Sequence, residues 1–303
     1  MYDMSSPEVA RAIAGNPLAI IPFGSIEQHG PHLPCGTDTM AAELIAMTIA
    51  TKMEGLFVPF APYGVTPIHA GHPGTITLRR ETFEALLRDV CTELIAMGVR
   101  DIVFVNWHEV NTASLDAVAT ELQDESDANF VVAQACYVAQ RLYAEEGGKL
   151  THGGSIETMA VLAHDPSLVK LEGVQEPTRP PGAENMDAMR RSHEVYGFVT
   201  DVTEIADDGW YGDPWWATDE LAAGFTERVG GAIVERLEEI ARLRRAGGRS
   251  CVPENSTSGT CRDGCRRIRS WGWTASTSRC ASSPSIPARA LPTCTLARTR
   301  RCT

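Results

Sequence analysis

Within SIEQHGPHLPCGTD the chain gathers two carboxylates and two imidazoles, Glu27, His29, His32 and Asp38, into twelve residues. Carboxylates beside imidazoles form a donor set for a borderline divalent cation such as zinc or manganese. The apolar run LAIIPF just ahead has the length and flanks of a short buried strand. Residues i and i+2 of an extended segment point the same way, so Glu27 and His29 are expected to converge. Gly30 and Pro31 break the strand, and Gly36 lets the loop turn back. Asp38 then returns to the same point just ahead of the helical pattern TMAAELIAMTIATKM. Residue types alone leave a plainer alternative open, in which Asp38 caps that helix, His29 is hydrogen-bonded in its loop and Glu27 is solvated.

Three later segments carry residues of the same kind. VPFAPYG leads to PIHAGHPGT with His69 and His72, DIVFVNW leads to HEVN with His108 and Glu109, and THGGSIET carries His152 and Glu157. All three read as strand-to-loop junctions. Sites in open parallel sheets form at the carboxyl ends of strands, so these segments are expected to share one pocket. There is no G-x-S-x-G elbow and no cysteine in a recognisable nucleophile motif with histidine, which leaves covalent catalysis without support.

The elements that must position these groups alternate between extended and helical patterns, which predicts βαβ units and a mainly parallel sheet. Strands are expected over 17–23, 56–60, 101–106 and 129–135. Helical spacing runs through RRETFEALLRDVCTELIAM, TASLDAVATELQDE and the long TDELAAGFTERVGGAIVERLEEIARLRR. Residues 172–216 are interrupted by Pro177, Pro180, Pro181 and Pro214 and read as a lid or subunit-contact excursion. Its three tryptophans, Trp210, Trp215 and Trp216, either wall the pocket or pack in the core.

IPFGSIEQHGPHLPCGTD, YGVTPIHAGHPGTITL, VFVNWHEVN, HGGSIETMAVLAHDP and GWYGDPWWAT, in that order, resemble the creatininase family of metal-dependent amidohydrolases. The resemblance implies a three-layer α/β/α domain with a mainly parallel central sheet and two divalent ions per chain, Zn2+ and/or Mn2+. By position in the motifs, Glu27 and His108 correspond to ligands of one metal, His29 to a ligand of the other, and Asp38 to the carboxylate that bridges them. Creatininase has a further metal-binding glutamate two places after this histidine, where this chain has Val110. Glu157 is the first candidate to replace it and Glu109 the second. His152 matches the family's proton-shuttling histidine, with Glu157 beside it in the catalytic set. His69, Trp107 and Glu109 are candidate substrate contacts, and a carboxylate at Glu109 would suit a cationic or polyhydroxylated substrate.

The function implied is a hydrolase in which a metal-bridging hydroxide attacks the carbonyl of a small, cyclic amide or related substrate. Two alternatives stand beside it: a C–C hydrolase opening a cyclic polyol ketone of keto-inositol type, and a catalytically idle metal-binding relative. The resemblance also implies a homo-oligomer, of hexameric type.

Composition bounds these readings. The 303 residues are 43% hydrophobic, with no apolar stretch of about eighteen residues, so no membrane partner is expected. The start, MYDMSSPEVARAIAG, has neither a basic lead nor an apolar block, which predicts no signal peptide and a cytoplasmic location. The formal charge of −12 divides into −20 for residues 1–245 and +8 for residues 246–303. An acidic body of that size argues against nucleic-acid binding. Cysteines divide at the same place, three before residue 246 and six after it. Residues 1–245 are therefore read as the catalytic domain. Residues 246–303 form an Arg/Ser/Cys-rich tail, expected to be disordered and to have the composition of an out-of-frame translation.

Overall fold

A computed structural model of the chain describes residues 1–192 and 194–247. Strands β1 (Leu18–Phe23), β2 (Leu56–Phe57), β3 (Asp101–Asn106) and β4 (Asn129–Gln134) form one parallel sheet in the order β2-β1-β3-β4. Around it lie α1 (Ser6–Gly15), α2 (Thr37–Lys52), α3 (Arg80–Ala96), α4 (Thr112–Glu125) and α5 (Ala135–Tyr143). They are followed by α6 (Ser155–His164), α7 (Ala183–Ser192), α8 (Asp219–Ala222) and α9 (Phe225–Gly247).

The two-residue period of the strands builds the layers. Leu18, Ile20, Val103 and Val105 face the side carrying α2, α5, α6 and α9, while Ala19, Ile21, Phe23, Ile102 and Phe104 face the side carrying α1, α3 and α4. Every residue of β1 and β3 is buried. A sheet covered on both faces needs uninterrupted apolar strands, which is why LAIIPF shows no polar alternation. The architecture is a three-layer α/β/α domain.

Two expected elements differ. The strand expected over 56–60 pairs only at Leu56 and Phe57, and after Val58 donates to the Ile20 carbonyl the ladder ends at Pro59, which has no N–H to give. The long last helix is divided into α8 and α9 around Gly224. No helix among the described residues is long and apolar enough to cross a membrane. Beyond the last turn of α9, the expected tail lies outside the described residues.

Candidate metal centre

The strand order opens the site. β1 leads into α2 on one face and β3 into α4 on the other, so the chain leaves these neighbouring strands in opposite directions and a crevice forms at their carboxyl ends. Glu27 and His29 lie on the loop after β1, and His108 lies two residues beyond β3. Asp38 sits in the first turn of α2 rather than ahead of it. A Cβ on Gly24 would stand 2.3 Å from the Thr39 backbone nitrogen, so only glycine lets the exit of β1 pass so close to that turn. Asn111 ties the crevice together, its side chain donating to the Gly24 carbonyl at 2.9 Å and accepting from the Val65 amide at 3.0 Å. The THGGSIET segment corrects the expectation of a strand end. It runs from α5 to α6, and its glutamate arrives on the first turn of a helix.

The expected ligand residues meet. Asp38 divides its carboxylate between two histidines, with Oδ2 2.9 Å from His108 Nδ1 and Oδ1 3.3 Å from His29 Nε2. Glu27 Oε2 stands 3.5 Å from His108 Nδ1, and Glu157 Oε2 stands 3.7 Å from His29 Nε2. Glu27, Asp38 and His108 thus form one compact buried group, and His29, Asp38 and Glu157 form a second that shares Asp38. A third group joins Glu27, His29 and His152. Each histidine has its other nitrogen engaged by a backbone carbonyl: His29 Nδ1 donates to Glu27 at 3.1 Å, His108 Nε2 to Val65 at 3.1 Å and His152 Nε2 to Gln28 at 2.7 Å. Such bonds fix the tautomer and leave the inward nitrogen free to bind a cation.

Electrostatics agree with a cation. Burial works against charge on His29, but Asp38, Glu157 and Glu27 outweigh it and raise its pKa to about 10. His108 rises in the same way to about 9. Burial would raise Asp38, yet His29 and His108 hold it well below the carboxylate range. Glu157 is lifted to about 7, chiefly by burial, even though the Gly153 amide donates to it at 2.5 Å. Protons on the imidazoles therefore balance the buried carboxylates, and divalent ions could displace those protons. Glu27 Oε2 and His29 Nε2 are buried with no hydrogen-bond partner among the described residues, as atoms awaiting a metal would be. The donor set fits zinc or manganese.

The other expected residues divide. His69 lies in the cavity, its ring stacked on His152 at 4.1 Å and its Nε2 3.8 Å from Glu27, and burial lowers its pKa to about 4. His72 stands apart, 3.7 Å from Asp201. Trp107 is buried, lines the cavity and packs edge-on to Phe225. Val110 lines the cavity and packs into the core, while Glu157 rather than Glu109 stands with His29 and Asp38. Glu109 is taken up otherwise: Arg190 donates to it at 3.0 Å and the Tyr137 hydroxyl also donates to it. Although burial would raise its pKa, Arg191 and Arg190 hold it near about 2. A carboxylate so engaged is not open to a cationic substrate, which corrects the expectation drawn from its type.

None of the three late tryptophans lines this cavity. Trp210 packs on His32 at 4.5 Å, Trp216 donates to the Glu146 carbonyl, and Trp215 is 43% exposed. Residue types did not single out Arg190, Arg191 and Tyr211, which do line it. Their signal, a pair of arginines inside an irregular excursion, gains meaning only once the chain folds back over the sheet.

The sequence profile of the creatininase family, described as creatinine amidohydrolase, matches residues 2–237. The chain is 34% identical over 212 residues to the mycofactocin precursor peptide peptidase of Mycobacterium ulcerans, covering 67% of this chain and 77% of that one. It is 30% identical over 184 residues to the creatinine amidohydrolase of Pseudomonas putida, covering 54% and 71%. A solved structure described as manganese creatininase superposes with a TM-score of 0.64 at 24% identity, covering 79% of this chain and 97% of that one, a likeness of fold. Matching family profile, relatives and architecture lead to one conclusion: the chain belongs to the creatininase family.

Proposed function

We propose that this chain is a two-metal hydrolase that cleaves the C–N bond of an amide. One observation carries the reading: the two oxygens of Asp38 face two different histidines, each in its own three-residue group. Glu27 and His108 complete one group with Asp38, and His29 and Glu157 complete the other, so Glu157 takes the place left by Val110. Zinc or manganese bound there supplies Lewis acidity, making water a nucleophile at neutral pH and polarising a carbonyl. His152 is kept neutral, first by burial and then by His69 and His29, so its Nδ1 can accept a proton and pass it to the leaving nitrogen. His69, Trp107 and Leu150 help to shield the reacting amide from bulk water.

The cavity volume is about 70 Å3, the share of roughly two waters at about 30 Å3 each, so it admits only the reacting group of a substrate. The remainder of a substrate would extend past α7. Relatives named for a peptidase and an amidohydrolase both cleave C–N bonds, which favours a peptide or small amide over ring opening at carbon. Self-association is part of the proposal, with Val195 and Phe198, both strongly exposed, as apolar contact residues.

Metal analysis tests the core of this reading. Purified protein reconstituted with Zn2+ or Mn2+ should hold about two equivalents per chain, and Asp38→Ala should lose both metal and amide turnover. Less than about half an equivalent in the wild type, or full turnover by the Asp38→Ala variant, would refute it.

A further inference from the structure

We infer that Arg190 and Arg191 are the specificity wall of this cavity and that they recognise a carboxylate carried by the substrate. That the substrate is an amide rests on the hydrolase reading above; recognition of its carboxylate does not.

Both arginines come from α7 and line the same cavity as Glu27, Asp38 and His108. Their side chains are each only 23% exposed. Asp187 holds the two forks in place, 3.0 Å from Arg190 and 3.3 Å from Arg191, and is fixed in turn by the Tyr211 hydroxyl at 2.8 Å. A guanidinium presents five N–H donors in a planar fork. Among the described residues Arg190 uses two, toward Glu109 and Asp187, and Arg191 also uses two, toward Asp187 and Tyr211. More than half of the donors of this pair have no such protein acceptor.

Glu109 shows where a carboxylate sits against these forks, 3.0 Å from Arg190 and 3.9 Å from Arg191. It also has a second anchor in Tyr137, so it can stay bound there when another carboxylate takes its share of the arginines. Val199, Val202 and Ile205 line the same cavity and lower the local dielectric, which strengthens charge-assisted hydrogen bonds. A cationic substrate would find both carboxylates of this cluster, Glu109 and Asp187, already engaged by the arginines. The chemistry that fits is an acylated amino acid or short peptide with a free carboxylate near the scissile amide and an apolar side chain.

Calorimetric binding to the metal-loaded full chain tests this with N-acetylleucine and N-acetylleucinamide, which differ by one charge. The free acid should bind at least about tenfold more tightly than the amide. Arg190→Gln and Arg191→Gln should erase that preference, Arg190→Lys should keep part of it, and Glu109→Gln should tighten the acid alone by removing its competitor. A purely structural latch would not produce that gain. Equal binding of the two probes by the wild type, a preference surviving in both glutamine variants, or weaker acid binding by Glu109→Gln would overturn the inference. If the arginine-to-glutamine variants fail to fold, Arg190→Lys and Glu109→Gln decide it.

Turnover separates this inference from the hydrolase reading. Preferred binding of the acid with neither probe hydrolysed would leave the inference standing and count against amide hydrolysis. Hydrolysis of both probes at equal efficiency, with equal binding, would do the reverse.

Discussion

His152 lies within reach of two tasks that make different demands on a substitution. Its Nδ1 is 3.6 Å from Glu27, and its ligand atom shares a compact group with Glu27 and His29, which is how a metal ligand would stand. Its Nε2 is committed to the Gln28 carbonyl and its ring is held neutral, which suits a ligand and a proton acceptor equally. Glu27, Asp38 and His108 complete one group without it, and His29, Asp38 and Glu157 complete the other. We therefore expect His152→Gln to keep about two metal equivalents while kcat falls by roughly 10²- to 10⁴-fold. Elemental analysis beside a turnover assay reads both quantities. Loss of one equivalent in step with activity would make His152 a ligand.

The loop after β1 works through a chain of contacts in which His32 is central. Its Nε2 donates to the Gly153 carbonyl at 2.6 Å, its ring packs on Trp210, and the Gly153 amide donates to Glu157. Gly153 has φ +75, a left-handed conformation that suits glycine. Burial lowers the His32 pKa to about 4 from the ordinary 6.5. The unfolded chain therefore takes up this proton near pH 6.5 while the folded chain resists until about pH 4. The stabilisation is complete above pH 6.5 and is lost as the pH falls through that window, amounting to about 3 kcal/mol. Urea unfolding at pH 7.5 and 4.5 should show a larger acid loss in the wild type than in His32→Gln. An equal loss in both would mean that His32 already charges in the fold.

The same elements show what the sequence made legible. β1 and β3 were readable to within a residue because strands covered on both faces carry apolar runs, and β4, a partly buried edge strand, because its short apolar run follows a helical segment at βαβ spacing. The convergence of Glu27, His29, Asp38 and His108 was legible because their motifs lie at or near strand ends that one topology brings together. The strand expected over 56–60 passed over a signal that was present, since Pro59 has no N–H to continue the ladder after Val58. The engagement of Glu109 was not legible, since its partner Arg190 lies 81 residues away on a short polar helix that carries no apolar stripe to mark it.

At the scale of the whole molecule, a change in composition near residue 246 raises the question of where the folding unit stops. The cluster that covers one face of the sheet takes Phe225, Val229, Ile233, Leu237 and Ala241 from successive turns of α9, and Ala241 is the last buried residue in it. α2 and α6 both pack against this helix, and they carry Asp38 and Glu157, so α9 supports the candidate centre from behind. The family match ends at residue 237, before the change in composition. We propose that residues 1–245 contain the catalytic domain. A chain ending at residue 247, which keeps all of α9, should retain the melting temperature of the full chain within about 2 °C, because a few tenths of a kcal/mol shift a domain of this size by no more than that. It should also retain both metal equivalents. Ending the chain at residue 230 instead removes Ile233, Leu237 and Ala241 from the core, at about 2 kcal/mol or more for each large side chain, and should abolish cooperative unfolding. Calorimetry of the two truncations beside the full chain checks the boundary. A large loss of stability in the chain ending at 247 would place part of the folding unit beyond α9.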